Sequence, residues 1–281
     1  MAKLVWDQTG ERKYETGVNS CALYVSDTAE TALDGYAPGV AWNGITSISE
    51  SPEGAEANAF YADNIKYLNL VSAEDLNGSI GCYMYPDEFM ACDGTIAIAN
   101  GVYMHQQPRK PFCLAYKSIV GNDQLGEAYG HKLHIMYNIL ASPSEKEYGT
   151  VSDSPEPNEL SYDLTTTPVN VPGGNKPTAL ITLDSTAIAE EDLGKFNAIE
   201  AILFGADAFS ATTTYKKGDV VEYTTEAEEE SVTNVYAAKD DIATAAAWDA
   251  TKWDVIGTAG PRVLLPTEIY NIFNTASNGV G

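Results

Sequence analysis

The segment HKLHIMYNIL, His131 to Leu140, alternates with period two. Leu133, Ile135, Tyr137 and Ile139 share one face, and Lys132, His134, Met136 and Asn138 share the other. A chain whose strongest periodicity is that of a strand must bury sheet faces against a second sheet or a helix. Similar patterns occur in SIGCYMYP (Ser79–Pro86), GTIAIANGVYM (Gly94–Met104), KPFCLAYKSI (Lys110–Ile119), ELSYDLTTTPVNV (Glu159–Val171) and PTALITLDS (Pro177–Ser185), separated by Gly- and Asn-rich turns. The expected fold is mainly β: an antiparallel β-sandwich or partial barrel.

One flanking helix is expected in STAIAEEDLGKFNAIEAILFG. Ser185 or Thr186 would cap it, Glu190, Glu191 and Asp192 suit its early turns, and Gly205 stops it. Leu193, Phe196, Ile199 and Leu203 form one apolar stripe to lay on a sheet. PTEIYNIF is a second, short helix opened by Pro266. Between the two, composition shifts: residues 209–258 have their own strand patterns, the acidic run Glu226 to Glu230, and the tryptophans Trp248 and Trp253. They read as a small β domain inserted into a larger one made of residues 1–208 and 259–281, at a kind of position that tolerates insertion. Such an insert is expected to project outward and to be removable without disturbing the rest.

Forty acidic residues against sixteen basic ones give a net charge of −24. That argues against a surface built to grip nucleic acid, which needs Lys and Arg to neutralise phosphate, and against anionic membranes. It suits a protein kept soluble by charge, and equally a surface along which DNA slides without sticking. The opening MAKLVWDQTGERKYETG is polar, with no signal-peptide pattern, and no apolar run approaches the ~20 residues of a membrane span. A cytoplasmic site of synthesis is expected.

Catalytic and metal motifs are missing from the pattern. Cys21, Cys82, Cys92 and Cys113 form no CxxC pair and read as reduced, buried thiols, with a Cys82–Cys92 bridge the less favoured alternative. His131 and His134 point to opposite faces of one strand and do not chelate a metal together; His105 stands apart. The acidic pairs Asp87/Glu88 and Glu190/Glu191 belong to a turn and to a helix start. No enzyme, cofactor or metal is expected.

The stretch ESPEGAEANAFYADNIKYLNL, Glu50 to Leu70, is too apolar for an ordinary surface loop of its length. Phe60, Tyr61, Ile65 and Tyr67 need a cover, either the chain's own sheet or a neighbouring molecule. The polar arm from Ala2 to Gly17 carries two large anchors, Trp6 and Tyr14, a pattern common at interfaces.

Several long strings, in order, resemble the major tail protein, or tail tube protein, of long-tailed, non-contractile bacteriophages of Gram-positive hosts. They are KLVWDQTGERKYETGV, GVAWNGITSISESPEGAEANAFYADNIKYLNL, YMYPDEFMACDG, QQPRKPFCLAYKSIVGND, GHKLHIMYNILASPSEKEYGTVSDSPEP, LSYDLTTTPVNV, AIEAILFGAD and PRVLLPTEIYNIF. The resemblance implies a β-sandwich subunit with a flanking helix. Subunits would form hexameric rings that stack into a hollow tube conducting DNA without specific binding. Implied partners are further copies of the chain, a tape-measure protein, a tail terminator and distal tail or baseplate proteins; the implied location is the virion tail, with assembly in the host cytoplasm. A tube from a gene transfer agent fits the same strings. Within this frame, Ser51–Asn64 is expected to reach a neighbouring subunit, that of the adjacent ring, burying Phe60 and Tyr61, and carboxylates are expected to line the lumen.

In the insert, Tyr215 with Gly218-Asp219-Val220-Val221 and Tyr223, then Val235-Tyr236-Ala237-Ala238, then Trp248 and Trp253, resemble small chitin- and cellulose-binding modules. That implies glycan contact through Tyr215, Tyr236, Trp248 and Trp253, on host cell wall or, as an alternative function, in a secreted or surface carbohydrate-binding protein. The sequence departs from the family where paired aromatics are usual: Lys239, Asp240 and Asp241 stand there. The other reading makes these rings the core of a domain too small to bury much else.

Overall fold

The computed structural model describes residues 4–28, 35–150, 157–225 and 231–274. In chain order they form β1 (Lys13–Val25), β2 (Val40–Trp42), β3 (Ile45–Gly54), β4 (Ala57–Ala62), β5 (Ile65–Val71) and β6 (Glu74–Cys82). Next come β7 (Ile96–Ala99), β8 (Val102–Met104), β9 (Phe112–Asn122), β10 (Gly126–Ala141), β11 (Leu160–Thr166) and β12 (Leu180–Asp184). Helix α1 (Leu193–Phe204), strands β13 (Val220–Thr225), β14 (Val232–Ala238) and β15 (Trp253–Thr258), and helix α2 (Pro266–Asn274) follow. The main sheet has the order β2-β1-β9-β10-β11-β6-β3, with β12 also paired to β10, and its ladders are antiparallel. The mainly β, antiparallel expectation holds.

Strand β10 explains how one sheet becomes a sandwich. Lys132–Met136 pairs with β12, whereas Ile139–Ala141 pairs with β11. Between these stretches the register with β9 shifts, and Asn138 takes a positive φ of 47°, which asparagine tolerates better than most residues. A bulge bends its strand, so the sheet curls round a core in which Leu23, Leu114, Met136, Ile80, Tyr162 and Leu164 meet. The bulge also corrects a sequence expectation. Leu133, Ile135 and Tyr137 share one cluster, but Ile139 is buried in the opposite one, because an extra residue exchanges the faces beyond it.

The other face of the sheet carries α1 and α2. Phe196, Ile199 and Leu203 of α1 join Leu133, Ile135 and Tyr137, together with Val263, Leu264 and Ile269. Two buried tyrosines tie the layers: Tyr24 donates its hydroxyl to the Leu203 carbonyl at 2.5 Å, and Tyr137 to that of Leu264 at 2.8 Å. The helix stops at Gly205 (φ 90°), as its sequence predicts. Its start differs: Glu190–Asp192 form a 3-10 turn, and Leu193, 37% exposed, lies off the buried stripe. Ser185 and Thr186 serve the turn after β12, with the Thr186 amide donating to Asp184 Oδ1.

The three-stranded sheet β13-β14-β15 is the insert. One of its faces carries a cluster built on Val221, Tyr236, Ala238 and Trp253; the other presents Val235 to α1. Asn197 of α1 donates to the Gly218 carbonyl at 2.8 Å, and a Cβ on Gly194 would meet that of Ala237 at 3.2 Å. The insert is therefore docked, and the expectation of a knob removable without consequence is revised. The run Glu226 to Glu230 lies outside the described residues.

Segment Gly94–Met104, read as one strand, is the hairpin β7–β8 turning at Asn100-Gly101 (Gly101 φ 76°). All four cysteines are free and buried, and burial pushes Cys82 and Cys113 up to about 11 and Cys92 up to about 12. Among the described residues no helix is long and apolar enough to cross a membrane. Tyr162 is fully buried and its hydroxyl finds no hydrogen-bond partner among the described residues. Because a buried orphan donor is costly, Tyr162→Phe is expected to leave stability unchanged or raise it by up to ~1 kcal/mol in urea unfolding.

Candidate assembly surface

Strands β3 and β6 pair from Ile45↔Cys82 to Gly54↔Glu74, and the connection between them continues as a second ladder, β4–β5. The junction is kinked at Gly54 (φ 87°) and Ala55 (φ 53°), held by the Ala55 amide donating to the Ala73 carbonyl and the Ser72 amide to that of Glu56. At the tip Asp63 and Asn64 both have positive φ (51° and 63°), as a tight two-residue hairpin turn requires. Every residue of β4 and β5 is exposed. Phe60 is 49%, Tyr61 73%, Ile65 64% and Tyr67 70% exposed.

The segment thus does not fold back onto its own sheet. It projects, and it extends past the expected Ser51–Asn64 to Val71, since β5 is the returning strand. Leu68, Leu70 and Val71 join the exposed set. With both faces in water no alternation can appear in the sequence, so its strands are legible only as an apolar excess.

The root of this projection is fixed by a polar network. Glu50 of β3 accepts from the Tyr116 hydroxyl at 2.5 Å and lies 3.0 Å from His134 Nδ1. His134 is 7% exposed, stacks on Tyr116 at 4.9 Å, and its Nε2 lies 2.9 Å from the Ser118 hydroxyl. Glu15 of β1 accepts from Ser118 and from Lys132, each at 2.5 Å. The His134 hydrogen bond holds the Glu50 carboxyl below its ordinary range; partial burial opposes this and Tyr116 adds to it. At Glu15 burial raises the carboxyl, and its bonds from Lys132 and Ser118 outweigh it.

A depressed carboxyl contributes stability that is present above its unfolded value, about pH 4.3, and lost as pH falls through the folded value. Glu50→Gln is expected to cost about 1–2 kcal/mol at pH 7, and less at pH 3.5, where protonation has begun to remove the parent's advantage. Urea unfolding at the two pH values measures this.

His131, on the opposite face of β10, meets Glu200 at 2.8 Å and tilts against Phe196, so the two histidines serve different layers. Among the described residues no group of three or more His, Cys, Asp or Glu is placed to hold a metal.

The N-terminal arm is less free than its composition implies. β1 begins at Lys13, the Gly10 amide donates to Asp123 Oδ1 at 2.9 Å, and Asn122 donates to the Gly10 carbonyl at 3.1 Å. Tyr14 lies over Gly121, its register partner, and is 46% exposed; Trp6 is 73% exposed. Ala2 and Lys3 lie outside the described residues.

The rings expected as glycan contacts pack together in the insert's aromatic cluster. Trp253 and Tyr236 are buried. Trp248 stacks with Tyr223 (3.9 Å, 8°) and with Trp253 (5.3 Å, 16°), and Tyr215 stacks on Phe209. A sugar needs an open ring face, and Trp248 and Tyr215 are half-buried, packed against the insert's aromatic cluster.

No family model and no curated protein matches the chain. Among solved structures it is similar to the SPP1 tail tube determined by solid-state NMR and cryo-EM, at 12% identity over 52% of this chain and 72% of that one, with a TM-score of 0.30. It is also similar to the sheath–tube complex of an extracellular contractile injection system, PVC, in its extended state, at 13% identity over 59% of this chain and 88% of that one, with a TM-score of 0.25.

Proposed function

We propose that this chain is a structural, non-catalytic subunit of a phage tail tube. Copies associate through the β4–β5 projection into hexameric rings, and the rings stack into a hollow tube through which DNA passes. The carrying observation is the projection: a kinked, two-faced apolar hairpin whose root is pinned and whose rings have no cover among the described residues. The long strings that resemble tail tube proteins give the reading its particular form. A net charge of −24 suits a conduit whose walls repel phosphate. Tape-measure, terminator and distal tail proteins are the partners of such a tube, and the virion tail is its place.

Negative-stain electron microscopy of the purified chain at rising concentration tests this, with rings or tubes as the expected result. Phe60→Ala with Tyr61→Ala is expected to raise the concentration needed for assembly at least tenfold, the loss of about 1.4 kcal/mol or more per contact. Unaltered assembly by the double variant would remove the projection from the interface.

A further inference from the structure

The β7–β8 hairpin is a second apolar projection. Ile96, Ile98, Val102, Tyr103 and Met104 are 44–63% exposed. Its base is built firmly: the Gln107 amide donates to the Gly94 carbonyl at 3.0 Å, and the Thr95 hydroxyl lies 3.0 Å from His105 Nδ1. Arg109 donates to the carbonyls of Cys92 at 3.2 Å and Ala141 at 2.9 Å. A hairpin held this way binds with little ordering cost. With both faces in water it is also marginal by itself, so a cover stabilises it.

Charge indicates what the cover is. From Gly94 to Pro108 the chain has no Asp, Glu, Lys or Arg, although its net charge is −24. A basic partner would be met by carboxylates, and this patch offers none. A strongly acidic partner is repelled by most of this surface and can approach closely only where the surface is uncharged. A second copy of this chain is such a partner, and it carries a matching surface: β4–β5 is apolar, exposed on both faces, and its Asp63 and Lys66 cancel.

We propose that the β7–β8 hairpin of one copy packs against the β4–β5 hairpin of the next. The contact joins two different patches, so each copy keeps one of each free and the association propagates into rings or stacks. The proposal rests on the self-assembly reading for the presence of a second copy, and adds where the projection lands.

Crosslinking of the full-length chain tests it. Ala99→Cys on β7 and Asn69→Cys on β5 leave the apolar side chains in place, and the four native thiols are buried. A short bismaleimide is expected to join the two variants when they are mixed at an assembling concentration, one carrying a tag that marks it by size. A chain bearing both substitutions should give a ladder, and each single variant alone should give little dimer. Ile98→Glu should raise the assembling concentration at least tenfold with an unchanged Tm, because Ile98 is 63% exposed in the single chain. Crosslinks of Ala99→Cys only to itself, no crosslink from it within assemblies, or normal assembly of Ile98→Glu would each overturn this contact while leaving self-assembly standing. A parent chain that stays monomeric at every concentration would overturn both.

Discussion

Phe89→Ala is expected to be among the most damaging single substitutions in the sandwich, costing about 3–5 kcal/mol. Phe89 sits in the 3-10 turn Asp87–Ala91 and is fully buried. Its ring meets Trp42 at 4.5 Å, Tyr162 at 5.1 Å, and Tyr85 and Phe112 at 5.4 Å, edge-on or tilted in each case. These partners come from β2, β9, β11 and the segment between β6 and the turn, so one side chain closes the end of the curled sheet. Truncation removes the transfer energy of the ring and leaves a cavity that four aromatic neighbours cannot jointly collapse into. At roughly 2–4 °C per kcal/mol for a chain of this size, Tm should fall by about 6–20 °C. Calorimetry of Phe89→Ala beside Ile98→Ala, whose side chain is largely in water, separates the core effect from a general one. A loss below about 1 kcal/mol would mean that Trp42 and Tyr162 carry this end without it.

Sequence reveals the buried strands and hides the exposed ones, for a physical reason. β9, β10, β11 and β12 bury side chains against a core, so selection for burial writes alternation into them. β1 shows it poorly: Cys21–Val25 is buried, but Lys13–Ser20 is almost wholly exposed and broken by register shifts, with Gly17 and Ser20 at positive φ. β4 and β5 bury nothing within the chain and have no alternation to show. The turn Asn100-Gly101 was a legible hairpin signal inside Gly94–Met104. For the candidate surface, Phe60, Tyr61, Ile65 and Tyr67 stand out because they are apolar where a loop should be polar. The network at its root was not legible: Glu15, Glu50, Ser118 and His134 are brought together by topology alone. The insert's aromatics were legible as a group, but spacing does not tell an open ring face from a covered one.

Excision of residues 209–257 is the second large effect expected, and it follows from α1 being apolar on more than one side. Phe196, Ile199 and Leu203 serve the main core, while Ala198, Ala201 and Ile202 are buried too. A Cβ on Gly257 would lie 3.1 Å from Ile202 Cδ1, and Gly194 packs at Gly218 and Ala237. Small residues on both partners let helix and insert approach closely. Backbone bonds close the joint: the Glu222 amide donates to the Asp207 carbonyl at 2.9 Å and the Ala259 amide to that of Thr233 at 2.9 Å. Removing the insert uncovers Ile202 and the neighbouring alanines, a loss of about 3 kcal/mol or more at ~25 cal/mol per Å² of apolar surface returned to water. The excised chain should unfold at lower urea and aggregate more readily, because the uncovered helix face adds an apolar patch to the two hairpins. Ile202→Gln in the excised chain should restore solubility without restoring stability, since it removes the patch but not the lost packing. An excised chain as stable as its parent would show that α1 is held by the main sheet alone and that the insert rides on it without load.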